Sequence, residues 1–285
     1  MNIIDQIFSH VWNRHLDRRR RSASTQGVDL GRVVSDGRLT ERRVALSPQA
    51  LVRHAAILGK SGSGKSFLLL YLALQLIRKD LGFCFYDLHG EITGQILKLV
   101  AQRERDSGQD LSARTILIEP ADPECSAGFN VLSRREGLQE FVQAAEFTRI
   151  LRDRWGLSTF GARTEELLRN SLLALSASGQ TLLELPLLLS SYAFRAACLR
   201  GDMPPGVRGY FQERFDKATD AMQGAMAGPI LNKVTAFTQD PHFRHLLGQR
   251  ESTFSLAEAL EDGSWIILNL SKGTLGEQAA TLGSL

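Results

Sequence analysis

The run Gly59-Lys60-Ser61-Gly62-Ser63-Gly64-Lys65-Ser66 holds the residue types that phosphate chemistry requires, at the spacing it requires. Glycines let the backbone turn so that successive N–H groups point inward at phosphate oxygens, with no side chain in the way. A helix beginning at once would add unpaired N–H groups and the positive end of its dipole. Lys65 can reach β- and γ-phosphates as a point charge, and the Ser66 hydroxyl can ligate Mg2+. The pattern predicts an ATP site formed by Gly59, Lys60, Ser61, Gly62, Ser63, Gly64, Lys65, Ser66 and Phe67, with Lys65 catalytic and Ser66 the metal ligand. A Gly/Ser-rich loop that merely turns the chain is the plain alternative. The flanks argue against it: His54–Leu58 reads as a short apolar strand, and Gly64–Lys79 as a helix with a leucine stripe.

A phosphate-transfer site also needs a carboxylate beside the metal and a group that orients water. Two acids follow apolar, strand-like runs, the position that faces the ligand crevice in an open α/β sheet. Asp87 follows Phe83-Cys84-Phe85-Tyr86 and heads the turn Leu88-His89-Gly90-Glu91. It reads equally as a nucleotide or magnesium contact and as a cap on the next helix. Asp87 and Glu91 are the candidate catalytic carboxylates. Glu119 follows Thr115-Ile116-Leu117-Ile118 but precedes Pro120, and reads as a loop residue. No Asp-Glu pair ends an apolar strand; Glu261-Asp262 lies before the strand at Trp265, which is its wrong end.

The elements that must position these residues follow from periodicity. Residues 22–50 read as a small β region, with Gly27, Gly31 and Gly37 between short alternating segments. Strand and helix then alternate: Gly82–Tyr86 a strand, 91–105 a helix, Thr115–Ile118 a strand. That spacing implies an α/β fold with a parallel sheet flanked by helices. From 136 onward the pattern is helical, broken at Gly156, Gly179, Gly201 with Pro204-Pro205, and Gly228-Pro229, until Ser264–Leu270 returns as a strand. The expected organisation is an amphipathic helix and basic linker at 1–21, a β region at 22–50, an α/β core at 51–135 and 255–285, and a helical insertion at 136–254.

Bulk properties exclude other classes. The 285 residues are 43% apolar and 23% charged, ordinary for a globular chain. Three separated cysteines form no Cys-x-x-Cys pair, which argues for a reducing cytoplasm and against a disulfide or zinc framework. The net charge of +3 resides mostly in Arg18–Arg21. Just before that block, Ile4, Ile7, Phe8, Val11 and Trp12 share a helical face. Such a segment can meet an anionic membrane or a partner, or simply pack on its own protein. The longest apolar run, Leu182–Leu189, is too short to span a bilayer and contains Glu184 and Pro186. His242 and His245 lack further ligands at metal spacing and read as helix surface. Tyr210 and Phe211, between Arg208 and Arg214, suit either base stacking or a core with a solvated rim.

Taken together, Arg53-His54-Ala55-Ala56-Ile57-Leu58 with Gly59–Ser66, then Phe85-Tyr86-Asp87-Leu88-His89-Gly90-Glu91, resemble the HerA/FtsK/TraG group of DNA-pumping ATPases. Leu88 stands where that group has Pro. Gly128-Phe129-Asn130-Val131-Leu132 is similar to the Phe-Asn-Pro-Leu segment of conjugative coupling proteins. Arg163–Asn170 resembles the start of their helical insertion, and Trp265–Gly276 the strand and turn that follow it. The resemblance implies a RecA-like P-loop NTPase that binds ATP and Mg2+ and moves DNA through a ring of six copies. It also implies a cytoplasmic location, with the N-terminal helix able to meet the membrane face or a secretion complex. The group's Asp-Glu pair, sensor and inter-subunit arginine lie further along, so the chain reads as an N-terminal portion of such a motor, without its Walker B region. Two other classes share the P-loop: an ATP-binding switch with little hydrolysis, motivated by the missing pair, and a small-substrate kinase, disfavoured by the helical insertion.

Overall fold

A computed structural model describes residues 27–122, 127–134, 140–155 and 161–276. The expected helix and basic linker at 1–21 lie outside the described residues. The described chain divides into two compact units, one drawn from 27–83, 92–114 and 263–265, the other from 84–91, 115–262 and 266–276.

In the first unit, strands β1 (Val28–Ser35) and β2 (Arg38–Leu46) pair antiparallel, with Ser35 opposite Arg38 and Val28 opposite Leu46. Asp36 and Gly37 join them at φ of 51° and 75°. Two left-handed residues are what a tight hairpin needs to match strand twist, and Asp-Gly supplies them. The hairpin is tied to helix Lys65–Arg78 through Asp29. Its carboxylate accepts from the Tyr71 hydroxyl at 2.9 Å, its N–H donates to Gln75 Oε1 at 2.7 Å, and its carbonyl accepts from Gln75 Nε2 at 2.8 Å. Burial pushes the Asp29 carboxyl up, but bonds from Gly31 N–H, Tyr71 and Arg43 outweigh it and hold it below the ordinary value. Helix Lys65–Arg78 packs on helix Thr93–Ser107, burying Ala73, Ile77, Ile96 and Val100. Gly108, at φ 67°, ends the second helix by donating to Glu104 O.

The second unit carries a three-stranded parallel sheet in the order β3 (Phe83–Asp87), β5 (Trp265–Asn269), β4 (Thr115–Ile118). The first residues of β3 and β5, Phe83 and Trp265, group with the first unit. β5 lies in the middle because Trp-Ile-Ile-Leu is apolar on both faces, and Ile266 and Ile267 are fully buried. Helices dominate the rest of this unit. Leu151, Leu167, Leu168, Leu172, Leu175 and Phe243 are fully buried or nearly so. Arg195 is buried among them, its guanidinium on Asp216 at 2.6 Å, donating to Leu188 O at 2.8 Å and lying over the Phe215 ring. Asn130, in the Gly128–Leu132 segment, is a buried hub: it donates to Arg250 O and Gln180 O and accepts from Leu132 N–H.

Several expectations are corrected. His54–Leu58 forms no strand: no neighbouring strand pairs with it among the described residues, and Leu58 is 91% exposed. Helix Asp220–Thr238 runs through Gly228-Pro229 rather than breaking there. Tyr210 and Phe211 are buried, which removes them from any base-stacking surface. Burial, first, and Glu166 push the Tyr210 phenol up to about 12, while Arg214 opposes them. No helix among the described residues is long and apolar enough to cross a membrane.

Candidate nucleotide site

The phosphate loop lies in the first unit, exposed except at the half-buried Lys65, and runs directly into helix Lys65–Arg78. Gly62 and Gly64 take φ of 76° and 86°, a left-handed backbone that side chains resist. Gly59 lies close under the Ser63 side chain: a Cβ there would stand 2.4 Å from Ser63 Oγ unless that hydroxyl rotated away. Ser63 N–H and Lys65 Nζ both donate to Lys60 O, at 3.2 and 2.9 Å, so the loop closes on itself with the Lys65 ammonium folded over it.

Gly64 caps the helix with no side-chain hydrogen bond, and its first turn holds no acidic residue. The first N–H groups of any helix lack intrahelical partners, and here neither cap nor carboxylate answers them. That leaves the helix's positive end for an anion. Ser66 and Phe67 follow in the first turn and are exposed, Phe67 at 75%. Lys60 and Ser61 are exposed on the loop as well.

Asp87 and Glu91 belong to the second unit. Asp87 ends β3 and is buried, accepting from the N–H groups of His89 at 3.3 Å and Gly90 at 2.9 Å. These bonds cap its own turn, which leads into the helix at Thr93. Glu91 is exposed on the same turn. Two backbone bonds strap this turn to the end of β5: Leu270 N–H to Asp87 O and Lys272 N–H to Leu88 O, each 2.9 Å. Gly90, at φ 76°, lies so close that a Cβ would meet Ser271 Cβ at 3.0 Å and Asn269 Oδ1 at 3.2 Å.

Glu119, read from sequence as a loop residue, accepts from Asn269 Nδ2 at the adjacent strand end. Asp87, Asn269 and Glu119 thus occupy the carboxyl ends of β3, β5 and β4, side by side in sheet order. The signal in the sequence was that each is the polar residue closing an apolar strand.

Two other features carry no phosphate chemistry. A small apolar cleft of about 90 Å3 in the second unit, lined by Cys84, Tyr86, Phe129, Phe254 and Leu256 among others, has no charged group. His242 Nδ1 lies 3.0 Å from Asp240, and no cluster of three His, Cys, Asp or Glu that could hold a metal occurs among the described residues. The Ser66 hydroxyl, exposed at the helix start, is an oxygen donor of the kind that a hard cation such as Mg2+ takes.

Comparison with protein families matches residues 28–182 to the model for the central domain of the helicase HerA. No curated protein matches the chain.

Proposed function

This chain belongs to the HerA central-domain family, whose P-loop makes it an ATPase domain, and on that premise we propose that it is an ATP-driven DNA translocase of RecA-like fold. The observation that carries this reading is the Gly59–Ser66 loop, set on a helix N-terminus with no cap and no acidic residue in its first turn. Loop N–H groups bind the phosphates, Lys65 neutralises charge on the transferred group, and Phe67 borders the nucleotide. Ser66 would hold Mg2+, which when bound would offset phosphate charge, and Asp87 and Glu91 are the proposed catalytic carboxylates. A ring of six copies moves DNA, as in conjugative transfer or in HerA-type helicases, from a cytoplasmic position. The segment at 1–21 contacts the membrane face or a secretion complex, 22–50 precedes the core, and 136–254 is a helical insertion between core segments 51–135 and 255–285.

The test is ATP turnover with and without duplex DNA. Stimulation by DNA supports the motor. Nucleotide binding with a slow, DNA-insensitive turnover refutes it in favour of a second reading, an ATP-binding switch or assembly protein.

A further inference from the structure

The β1–β2 ribbon is anchored to its unit at one end. Asp29 bonds Tyr71 and Gln75, and the Gly27 carbonyl accepts from Lys79. Beyond that anchor, from Arg32 to Arg43, every residue is exposed except the half-buried Val33 and Thr40. Val34 and Leu39, directly opposite one another, are 60% and 72% exposed. A two-stranded ribbon has little stability of its own, so this outer half owes its composition to something other than a core.

Arg32, Arg38, Arg42 and Arg43 stand there against Asp36 and Glu41. Arg32 lies directly opposite Arg43, a placement of like charges that weakens a strand pair. The acids at hand relieve it only in part. Arg43 pairs with Asp29, while Arg32 is 3.8 Å from a Glu41 side chain that is 96% exposed, where an ion pair contributes little. On β1, Arg32 and Val34 share one face and Ser35 takes the other, so their partners Arg43 and Arg38 also face opposite ways. Charged side chains on an exposed edge deter pairing between chains. Either sign does that, and it does not require two arginines face to face. The surrounding unit has the same bias: residues 27–83, 92–114 and 263–265 hold thirteen Lys and Arg against seven Asp and Glu.

We propose that the outer half of the β1–β2 ribbon is a nucleic-acid arm, whose Arg32, Arg38 and Arg42 meet the backbone phosphates of duplex DNA. The major groove admits a two-stranded ribbon, and phosphates line both of its walls, which suits cations on both faces. Arginine forks match phosphate oxygens, and such contacts hold the protein on the duplex without reading its sequence. The arm deepens the DNA-translocase reading, on which its choice of polyanion rests.

The experiment follows the fluorescence anisotropy of a fluorescein-labelled DNA duplex of arbitrary sequence, titrated with the full chain over a series of salt concentrations. Arg32→Gln/Arg38→Gln/Arg42→Gln is expected to lower the slope of log Kd against log salt by about three. Its affinity at low salt falls by at least about tenfold, equally on a duplex of unrelated sequence. Binding of a fluorescent ATP analogue and the melting temperature stay near wild type, since the anchor at Asp29 is untouched. Should the triple variant melt early, Arg38→Gln alone, beside the exposed turn, is expected to lower the slope by about one. A slope and an affinity equal to wild type overturn the arm. Wild-type chain that binds no duplex at any salt strikes the translocase reading instead.

Discussion

Replacing Lys65 by Ala tests the ATP site with the fewest side effects. In the free loop its ammonium spends one donor on Lys60 O at 2.9 Å. That carbonyl belongs to an exposed residue, so water replaces the lost bond at little cost. The substitution therefore leaves the fold alone, and the melting temperature is expected to move by no more than about 2 °C. Binding is a different matter. Three donors meet phosphate oxygens, and a charge-assisted bond is worth about 1.5–3 kcal/mol. Loss of one to two such bonds, partly offset by solvation, gives about 2–3 kcal/mol, or roughly 30- to 150-fold in Kd. The loop N–H groups and the helix N-terminus remain, so residual binding is expected rather than none. Lys65→Arg restores charge without the compact ammonium and recovers only part of the loss. Titration of a fluorescent ATP analogue measures all three proteins. An Ala variant that binds as tightly as wild type, with an unchanged melt, refutes the assignment of this loop.

Arg195→Met removes a guanidinium that is 4% exposed and leaves Asp216 and Leu188 O without their partner. Stripping one member from a buried pair costs about 3–5 kcal/mol; urea unfolding measures it, and a loss below about 1 kcal/mol would contradict the burial described. Asp29 gives a pH signature. Its folded pKa lies below the ordinary 3.8, so its tie to Tyr71 stabilises the hairpin fully above that value and is lost as pH falls through the lower one. Thermal unfolding of wild type and Asp29→Asn should differ at neutral pH and converge below about pH 4; a constant gap would show that the carboxylate charge is irrelevant.

What the sequence revealed and what it hid follow one division. The phosphate loop was legible because each of its requirements is local: left-handed φ at Gly62 and Gly64 and a helix starting at Lys65. The hairpin turn at Asp36-Gly37 was legible for the same reason. Tertiary context decided the rest. His54–Leu58 has a strand's composition, but a strand needs a partner, and no strand pairs with it among the described residues. Gly228-Pro229 has the chemistry of a helix break, yet helix Asp220–Thr238 runs through it, with Ala227 and Ile230 buried on either side of the pair.

Glu119 shows how far this division reaches into function. Pro120 after it is a local cue for a loop, and the cue is correct about the backbone. The side chain is nevertheless committed to Asn269, 150 residues on, because β5 inserts between β3 and β4. Strand order is a long-range property that periodicity does not encode, so sequence order gives no reason to group Asp87 with Asn269 and Glu119. Once the order β3-β5-β4 is known, the polar residue closing each strand falls into one row. In a parallel sheet the ligand crevice lies at these carboxyl ends. Residues that close apolar strands therefore merit scrutiny as a set, ordered by the sheet rather than by the chain.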